Sequence, residues 1–560
     1  MQQMGVGLET ETIVLGIGLA ALAITVVLLI RNRLRKWRGP FWTQAVPLLI
    51  AAYALGTWLF MYSGIGSWYL GFSGAYLPVY EGYEAHRREQ YHKAVRLFSK
   101  AIDGGELNDM QLRNALSGRA ESYAALGEVD AALADLDEAT DGAEEPFIYQ
   151  ALAVEILIDA EIFLKAQERI VAAATAYPEA AARGLELQHV LKILSRLDED
   201  GHKASGDDLA AALATIGYRG DQPGIFADQV YVRLARRAVE RGDLGEALEH
   251  LESVIRIANQ LPFHFDRRYA PLWPYPPFQE RFALDRLVDR TETSYLRMIM
   301  SNPGYAGLLK GPIIALDARG RTSEAIKLAR TVYDNRSKYY DTGEAGDDYY
   351  DASDDWRYSE DLWLANRLVI MLLNSGRTDE ARVLMDELLE TSIADRPMLV
   401  NQAINFAQAV LDEGDFETAL KYAGLVEDGY ASAYGELWVV SIEACAYEQI
   451  GQTSRAHSLV DGMEARREEN YRAFLQALFC LNRLDRAAEL IMEMLDDSDY
   501  RGTILKSLIK YRDPNHSGAF AKILRQRRAE VRARPEVRGK FLEYGRIIEV
   551  PFESRIVASY

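Results

Sequence analysis

The sequence has only two cysteines in 560 residues, too few for a disulfide framework, and no spacing suggests a zinc site. It also lacks the motifs that carry common chemistries. There is no Gly-Lys-Ser/Thr phosphate loop, no His-Glu-x-x-His, no Gly-x-Ser-x-Gly and no Cys-x-x-Cys. Gly-Ile-Gly occurs at 16–18 and 64–66, within or beside apolar stretches and not after a strand, so it is no nucleotide fingerprint. The eight histidines are scattered. His86 and His92, six residues apart, do not share a helix face well. The acidic run from Asp198 to His202 falls short of a calcium loop. These absences predict a protein that is not an enzyme and that has no cofactor and no metal. Positive charge is short as well: 63 Lys and Arg against 83 Asp and Glu leave a formal −20. That balance argues against a nucleic-acid partner, whose phosphates need clustered cations.

Charge is missing altogether from two early stretches. Thr12 to Ile30 is nineteen uncharged residues, long enough to cross a bilayer as a helix, and Phe41 to about Tyr62 is a second such span. Between them lie Arg31, Arg33, Arg35, Lys36 and Arg38. Trp42, Trp58, Trp68 and Tyr69 sit where interfacial anchors belong. A cleaved signal peptide carries its cations before the apolar run; here Glu9 and Glu11 precede it. Residues 1–80 are therefore expected to form a transmembrane hairpin with its basic loop in the cytoplasm. The remainder would lie on the opposite side, the periplasm if the cell is Gram-negative, and the expected location is the inner membrane. Residues 81–560 carry 58 basic and 81 acidic groups, a soluble acidic body.

Within that body one phrase recurs. About fourteen helical residues lead to a Gly turn, and an Ala follows five positions after the Gly. Gly414 and Ala419 set the pattern in NQAINFAQAVLDEGDFETALKYAGLVEDG, Asn401 to Gly429. Gly414 suits a helix end with positive φ, and Ala407, Ala419 and Ala423 leave room for a partner helix. Copies place Ala132, Ala247, Ala325, Ala381 and Ala456 after Gly127, Gly242, Gly320, Gly376 and Gly451. Ala94 and Ala166 mark two more, and Ala487 a ninth whose turn Gly is replaced by Asn482. Most spacings run from 31 to 38 residues; a gap of 81 between Ala166 and Ala247 implies a degenerate copy around Leu185 to Tyr218, and gaps of 78 and 56 imply insertions. Small–aromatic pairs (Ala120 with Tyr123, Ala444 with Tyr447) and Ala–bulky–Ala triplets (Ala94, Phe98, Ala101; Ala166, Ile170, Ala173) accompany the phrase. The pattern resembles the tetratricopeptide (TPR) repeat family, helix-turn-helix units of about 34 residues. The resemblance implies an all-α, right-handed helical-hairpin solenoid that binds a protein or peptide partner as a scaffold. The family's Lys/Asn carboxylate clamp is not evident, because Trp438 and Ile442 stand beside Asn405.

The expected organisation is a membrane hairpin over 1–80, repeats over 81–260, a Pro/aromatic insertion over 261–300, repeats over 301–500 with an acidic Tyr-rich loop at 333–361, and capping helices with an extended tail over 501–560. Four prolines from Pro271 to Pro277 predict extended or polyproline geometry in the insertion. It is expected to plug the space between non-adjacent helices, or else to form a partner-binding ridge from Arg267, Arg268, Trp273, Tyr275 and Phe278. The basic stretch Ile523 to Lys540 is expected to cap the repeats, and the strand-like tail to dock on the protein's own surface. Cys445 and Cys480 lie on first helices of adjacent repeats, where a bridge is feasible; two separate buried thiols are the expectation. The function these features predict is a membrane-anchored scaffold or client-holding protein in envelope assembly or export, with a cytoplasmic adaptor tethered to a membrane enzyme or protease as the alternative.

Overall fold

The structure, a computed structural model, describes residues 76–220, 227–301, 306–335, 356–390, 393, 399–427, 429–514 and 516–558. The apolar stretches at 12–30 and 41–62 lie outside these residues, as does most of the acidic Tyr-rich loop. Among the described residues no helix is long and apolar enough to cross a membrane. The chain divides into two units, Met1–Ala143 and Glu144–Tyr560. Helices of eight residues or more are numbered below in chain order.

In the first unit, α1 (Leu77–Arg87), α2 (Tyr91–Asp103), α3 (Asp109–Ala125) and α4 (Val129–Thr140) form two consecutive hairpins. Ala94, Phe98 and Ala101 are buried on one face of α2, as their spacing dictates. The Phe98 ring rests on two glycines: a Cβ at Gly82 or Gly118 would come within 2.8 or 2.5 Å of it. Tyr83 meets the ring edge-on at 5.0 Å. Asn108 starts α3 through a capping box with Gln111, each side chain bonding the other's backbone N–H.

The second unit repeats this device. Its hairpins pair α5 (Phe147–Asp159) with α6 (Phe163–Ala176), α7 (Leu187–Glu199) with α8 (Lys203–Thr215), and α9 (Asp228–Arg241) with α10 (Leu244–Glu252). After α11 (Leu287–Ser301) come α12 (Lys310–Ala318) with α13 (Thr322–Asp334), and α14 (Trp356–Leu373) with α15 (Thr378–Leu389). Next are α16 (Val400–Glu413) with α17 (Phe416–Ala423), α18 (Ala433–Gln449) with α19 (Thr453–Glu464), and α20 (Tyr471–Cys480) with α21 (Leu484–Asp496). Every anchor alanine of the phrase, from Ala94 to Ala487, has 0% exposure. No larger side chain fits where two helices touch, which is why the alanine keeps its register. Gly414 ends α16 at φ 96°, and Asn482 stands in for glycine at φ 55°.

The degenerate copy is present as α7 and α8. Its anchor position holds Gly206, whose N–H bonds the carbonyl of His202 as the anchor alanines bond theirs. A Cβ on Gly206 would come 2.7 Å from the Arg233 guanidinium. That guanidinium spans Asp198 (2.8 Å) and Asp207 (2.7 Å) across the hairpin. The copy trades the small apolar contact for an ion-pair bridge from a buried Arg233 to Asp207 and the exposed Asp198, so the alanine signal is lost there.

The Pro/aromatic insertion is helical, contrary to the extended geometry its prolines suggest. Short helices cover Ile257–Gln260, Pro262–Phe265 and Pro276–Arg281, and a 3-10 helix covers Arg267–Leu272. Pro262 and Pro276 sit in first turns, where the missing N–H costs nothing. The insertion is fastened to the chain's far end. The Arg546 amide donates to the Phe265 carbonyl at 2.8 Å, its Nε to the His264 carbonyl at 2.6 Å, and its guanidinium stacks 4.0 Å from the Trp273 ring. Asp266 and Gly545 form an antiparallel bridge.

The same contact buries a histidine. His264 is 5% exposed, tilted against Phe278 at 5.1 Å, with no partner at Nε2 among the described residues. Burial first, and Arg546 second, push its pKa down to about 3. The native state holds a neutral imidazole whereas the unfolded chain takes a proton near 6.5. Stability is therefore complete above pH 6.5 and falls as pH drops, by about 2 kcal/mol at pH 5. Exchanging His264→Phe keeps the ring and removes this slope; unfolding curves at pH 7.5 and 5 should then differ less in the variant than in the parent.

The C-terminal segment packs on the last repeat helix, α21, and also reaches back across earlier ones. Following α22 (Ser498–Leu508), α23 (Ala519–Ala533) lies across α16, α20 and α21, and α24 (Pro535–Tyr544) against α21 and α22. Phe520, Leu524 and Val531 form the buried stripe of α23. The tail then docks on its own unit. Strands β1 (Lys510–Tyr511) and β2 (Glu549–Val550) pair in parallel, and Phe552, Ile556 and Val557 are buried.

Cys445 and Cys480 are bonded, with Cα atoms 5.1 Å apart, which corrects the expectation of two thiols. The bridge joins the first helices α18 and α20. The spacing of 35 residues is one repeat, so neighbouring first helices place the two positions side by side; that they bond is what the spacing alone left open.

Candidate partner-binding face

First helices α14, α16, α18 and α20 touch in succession, so their outward-turned residues form one continuous inner face in the second unit. On α16 this stripe is Asn401, Asn405, Gln408 and Asp412, spaced by four, three and four; the two asparagines are exposed, and Gln408 and Asp412 are half-buried. On α18 it includes the half-buried Trp438, and on α20 the exposed Arg472, with Gln476 buried beneath it. A polar chain crosses it: Gln476 Nε2 donates to Gln408 Oε1 at 2.5 Å, and Gln408 Nε2 to Asp412 Oδ1 at 2.9 Å. Helix α23 crosses the C-terminal ends of α16 and α20, with Gly518 against the Asp412 carbonyl and Arg527 on those of Phe479 and Cys480, and sets Arg525, Arg527 and Arg528 beside this face.

Arg527 is used internally, capping the end of α20 through the carbonyls of Phe479 (2.6 Å) and Cys480 (2.7 Å). The other cations are differently placed. Arg472 lies 6.0 Å from the centre of the Trp438 ring, and Arg528 lies 5.8 Å from that of Phe479. Both are exposed, while Arg525 and Lys506 are half-exposed. The packed surroundings of Arg528 hold it below the usual guanidinium range, with Asp412 opposing and Arg525 and Arg472 pushing the same way. Burial, then Arg472, lower Lys506. Burial raises Asp412 to about 6, against the pull of Arg528.

The residues singled out in the insertion are placed as follows. Phe278 is 3% exposed and stacks on Phe282 at 5.6 Å. Trp273 Nε1 donates to the Phe263 carbonyl. Arg268 pairs with the buried Asp266, and Arg267 donates to the Leu542 carbonyl at 2.8 Å. Tyr275 is half-exposed, and both arginines reach solvent. Asp347, Asp348, Asp354 and Asp355 of the acidic loop lie outside the described residues.

Elsewhere, Glu155, Glu186 and His189 bring ligand atoms within 4.8 Å of one another, all half-exposed; nothing beyond that spacing points to a metal. A cleft of about 340 Å³ between α8, α9 and α10 is lined by Ala211, Thr215, Leu234, Arg237 and His250.

No family model matches this sequence, and no curated protein matches it. Among solved structures the chain is similar to yeast Tom70, with 12% identity over 84% of this chain and 99% of that one, at a TM-score of 0.29. It is similar to the human IFIT1 dimer with m7Gppp-AAAA, with 13% identity over 68% and 87% and a TM-score of 0.28. The TPR domain of P58(IPK) gives 14% identity over 68% and 99%, at 0.18. Scores of this size carry neither ligand nor partner from those proteins to this chain; the helical-hairpin repeat rests on its own buried alanines and turns.

Proposed function

We propose that this chain is a TPR-like scaffold, a right-handed stack of hairpins tethered to the inner membrane by two helices within residues 1–80, which holds a protein partner on the extracytoplasmic side during envelope assembly or export. The observation that carries the binding reading is the inner face of α16, α18 and α20. It keeps Asn405 and Arg472 exposed and Trp438 half-exposed on first helices whose other sides are closed by packing. Such a ladder of hairpins makes a long surface for a polypeptide. The solvent-facing edges of Arg267, Arg268 and Tyr275 offer a second contact on the insertion.

The sidedness is supported by two independent features. Five cations separate the two apolar stretches, as in a cytoplasmic loop. Cys445 and Cys480 are bonded, and a structural disulfide belongs to an oxidising compartment. Alkaline phosphatase fused after Tyr560 is expected to be active in cells. Activity absent there, with fluorescence from a reporter that folds only in the cytoplasm, would replace this reading by that of a cytoplasmic adaptor. Crosslinking in the native membrane should join a protein to residues of the inner face; no crosslinked protein would remove the scaffold reading.

A further inference from the structure

In a chain with a formal charge of −20, most arginines of the second unit find a carboxylate: Arg233, Arg319, Arg367, Arg466 and Arg486 are examples. Four cations on or beside the inner face do not. Arg472 (α20), Lys506 (α22), Arg525 and Arg528 (α23) make no ion pair among the described residues; Arg525 and Arg528 are three apart on one helix packed against α20, and Arg472 lies within electrostatic reach of Arg528 and of Lys506. Folding has brought like charges together without a counter-charge, a net cost unless something negative arrives. Two of the guanidinium groups already lie near ring faces, Arg472 by Trp438 and Arg528 by Phe479. A guanidinium held that way still presents donors in its plane for a carboxylate. Asp412 is the acidic group facing them, and burial keeps its proton on to a higher pH than usual, which weakens its competition.

We infer that Arg472, Lys506, Arg525 and Arg528 form a recognition site for an acidic polypeptide segment, a run of Asp or Glu side chains laid across α20 and α23. This rests on the scaffold reading and names the chemistry of its partner. Nucleic acid is disfavoured because four cations on an acidic body give few phosphate contacts. A peptide needs only two or three carboxylates placed against planar forks.

The test uses the purified full chain in detergent with fluorescein-labelled octaglutamate, octaglutamine and an eight-nucleotide oligothymidylate. The expected result is binding of octaglutamate alone, weakening as salt rises. Arg472→Gln with Arg528→Gln should weaken it at least tenfold, and Arg183→Gln, a distant exposed arginine, should leave it unchanged. Asp412→Asn should tighten it several-fold, a gain that misfolding does not produce. No binding of octaglutamate, equal binding of octaglutamine, tighter binding of the oligonucleotide, or an unchanged affinity in both the double variant and Asp412→Asn would each overturn the inference. A partner crosslinked in the membrane as strongly in the double variant as in the parent would overturn the site and leave the scaffold standing.

Discussion

Replacing Asp317 by alanine is expected to destabilise the second unit by about 3–5 kcal/mol, the largest single effect among the sites described. Its side chain has 0% exposure, and that of Arg367, which donates to Oδ2 at 2.6 Å, has 1%. Arg555 from the tail donates to the same oxygen, and Thr322 Oγ1 donates to Oδ1 at 2.9 Å. Glu553 pairs with Arg555 from the other side. One carboxylate thus ties α12, α14 and the tail together. Removing it leaves the Arg367 guanidinium without its carboxylate away from water, while Arg555 keeps Glu553; Arg367→Met by contrast leaves Asp317 still paired with Arg555. The predicted order is Asp317→Ala well below Arg367→Met, with the double variant recovering part of the loss. Denaturant unfolding of the four proteins gives the cycle. A loss under about 1 kcal/mol for Asp317→Ala would show that water reaches the site.

The second large effect belongs to the disulfide. It closes a loop of 35 residues between α18 and α20, worth about 4 kcal/mol on the chain-entropy account. Cys445→Ala with Cys480→Ala should lower stability by about 2–4 kcal/mol. Reductant should lower the parent by the same amount and leave the double variant unchanged. Arg527 caps the carbonyl of Cys480 at 2.7 Å, so the loss should also loosen α23. Equal stability of parent and variant would mean that helix packing alone fixes α18 on α20.

How much of this was legible beforehand follows from which contacts are local. Turn glycines and anchor alanines act within one hairpin, so the phrase gave the repeats directly, down to Asn482 in place of glycine. The copy at α7 and α8 was legible only as a gap, because Gly206 and Arg233 replace a local signal by a bridge to the next hairpin. Prolines misled in the insertion because Pro276 and Pro277 open a helix, Pro274 lies in a turn, and Pro271 sits inside a short 3-10 helix. The pairing of Cys445 with Cys480 and the seat of α23 depend on how successive hairpins stack, which no short window of sequence contains. For α23 a trace did exist: Phe520, Leu524 and Val531 mark one buried side, with Arg528 at its margin and Arg525 off it. That pattern is equally suited to a cap, and only the packing against α16, α20 and α21 distinguishes the two.

The account depends on the C-terminal segment being built into the second unit and not appended to it. Native-state hydrogen exchange at the Arg546 and Arg512 amides tests this most directly, since they donate to the carbonyls of Phe265 at 2.8 Å and Val550 at 3.1 Å. Protection comparable to that of amides in α16 and α18 is the expected result. Exchange at the rate of an unstructured chain would contradict it, and with it the seat of α23 on the inner face.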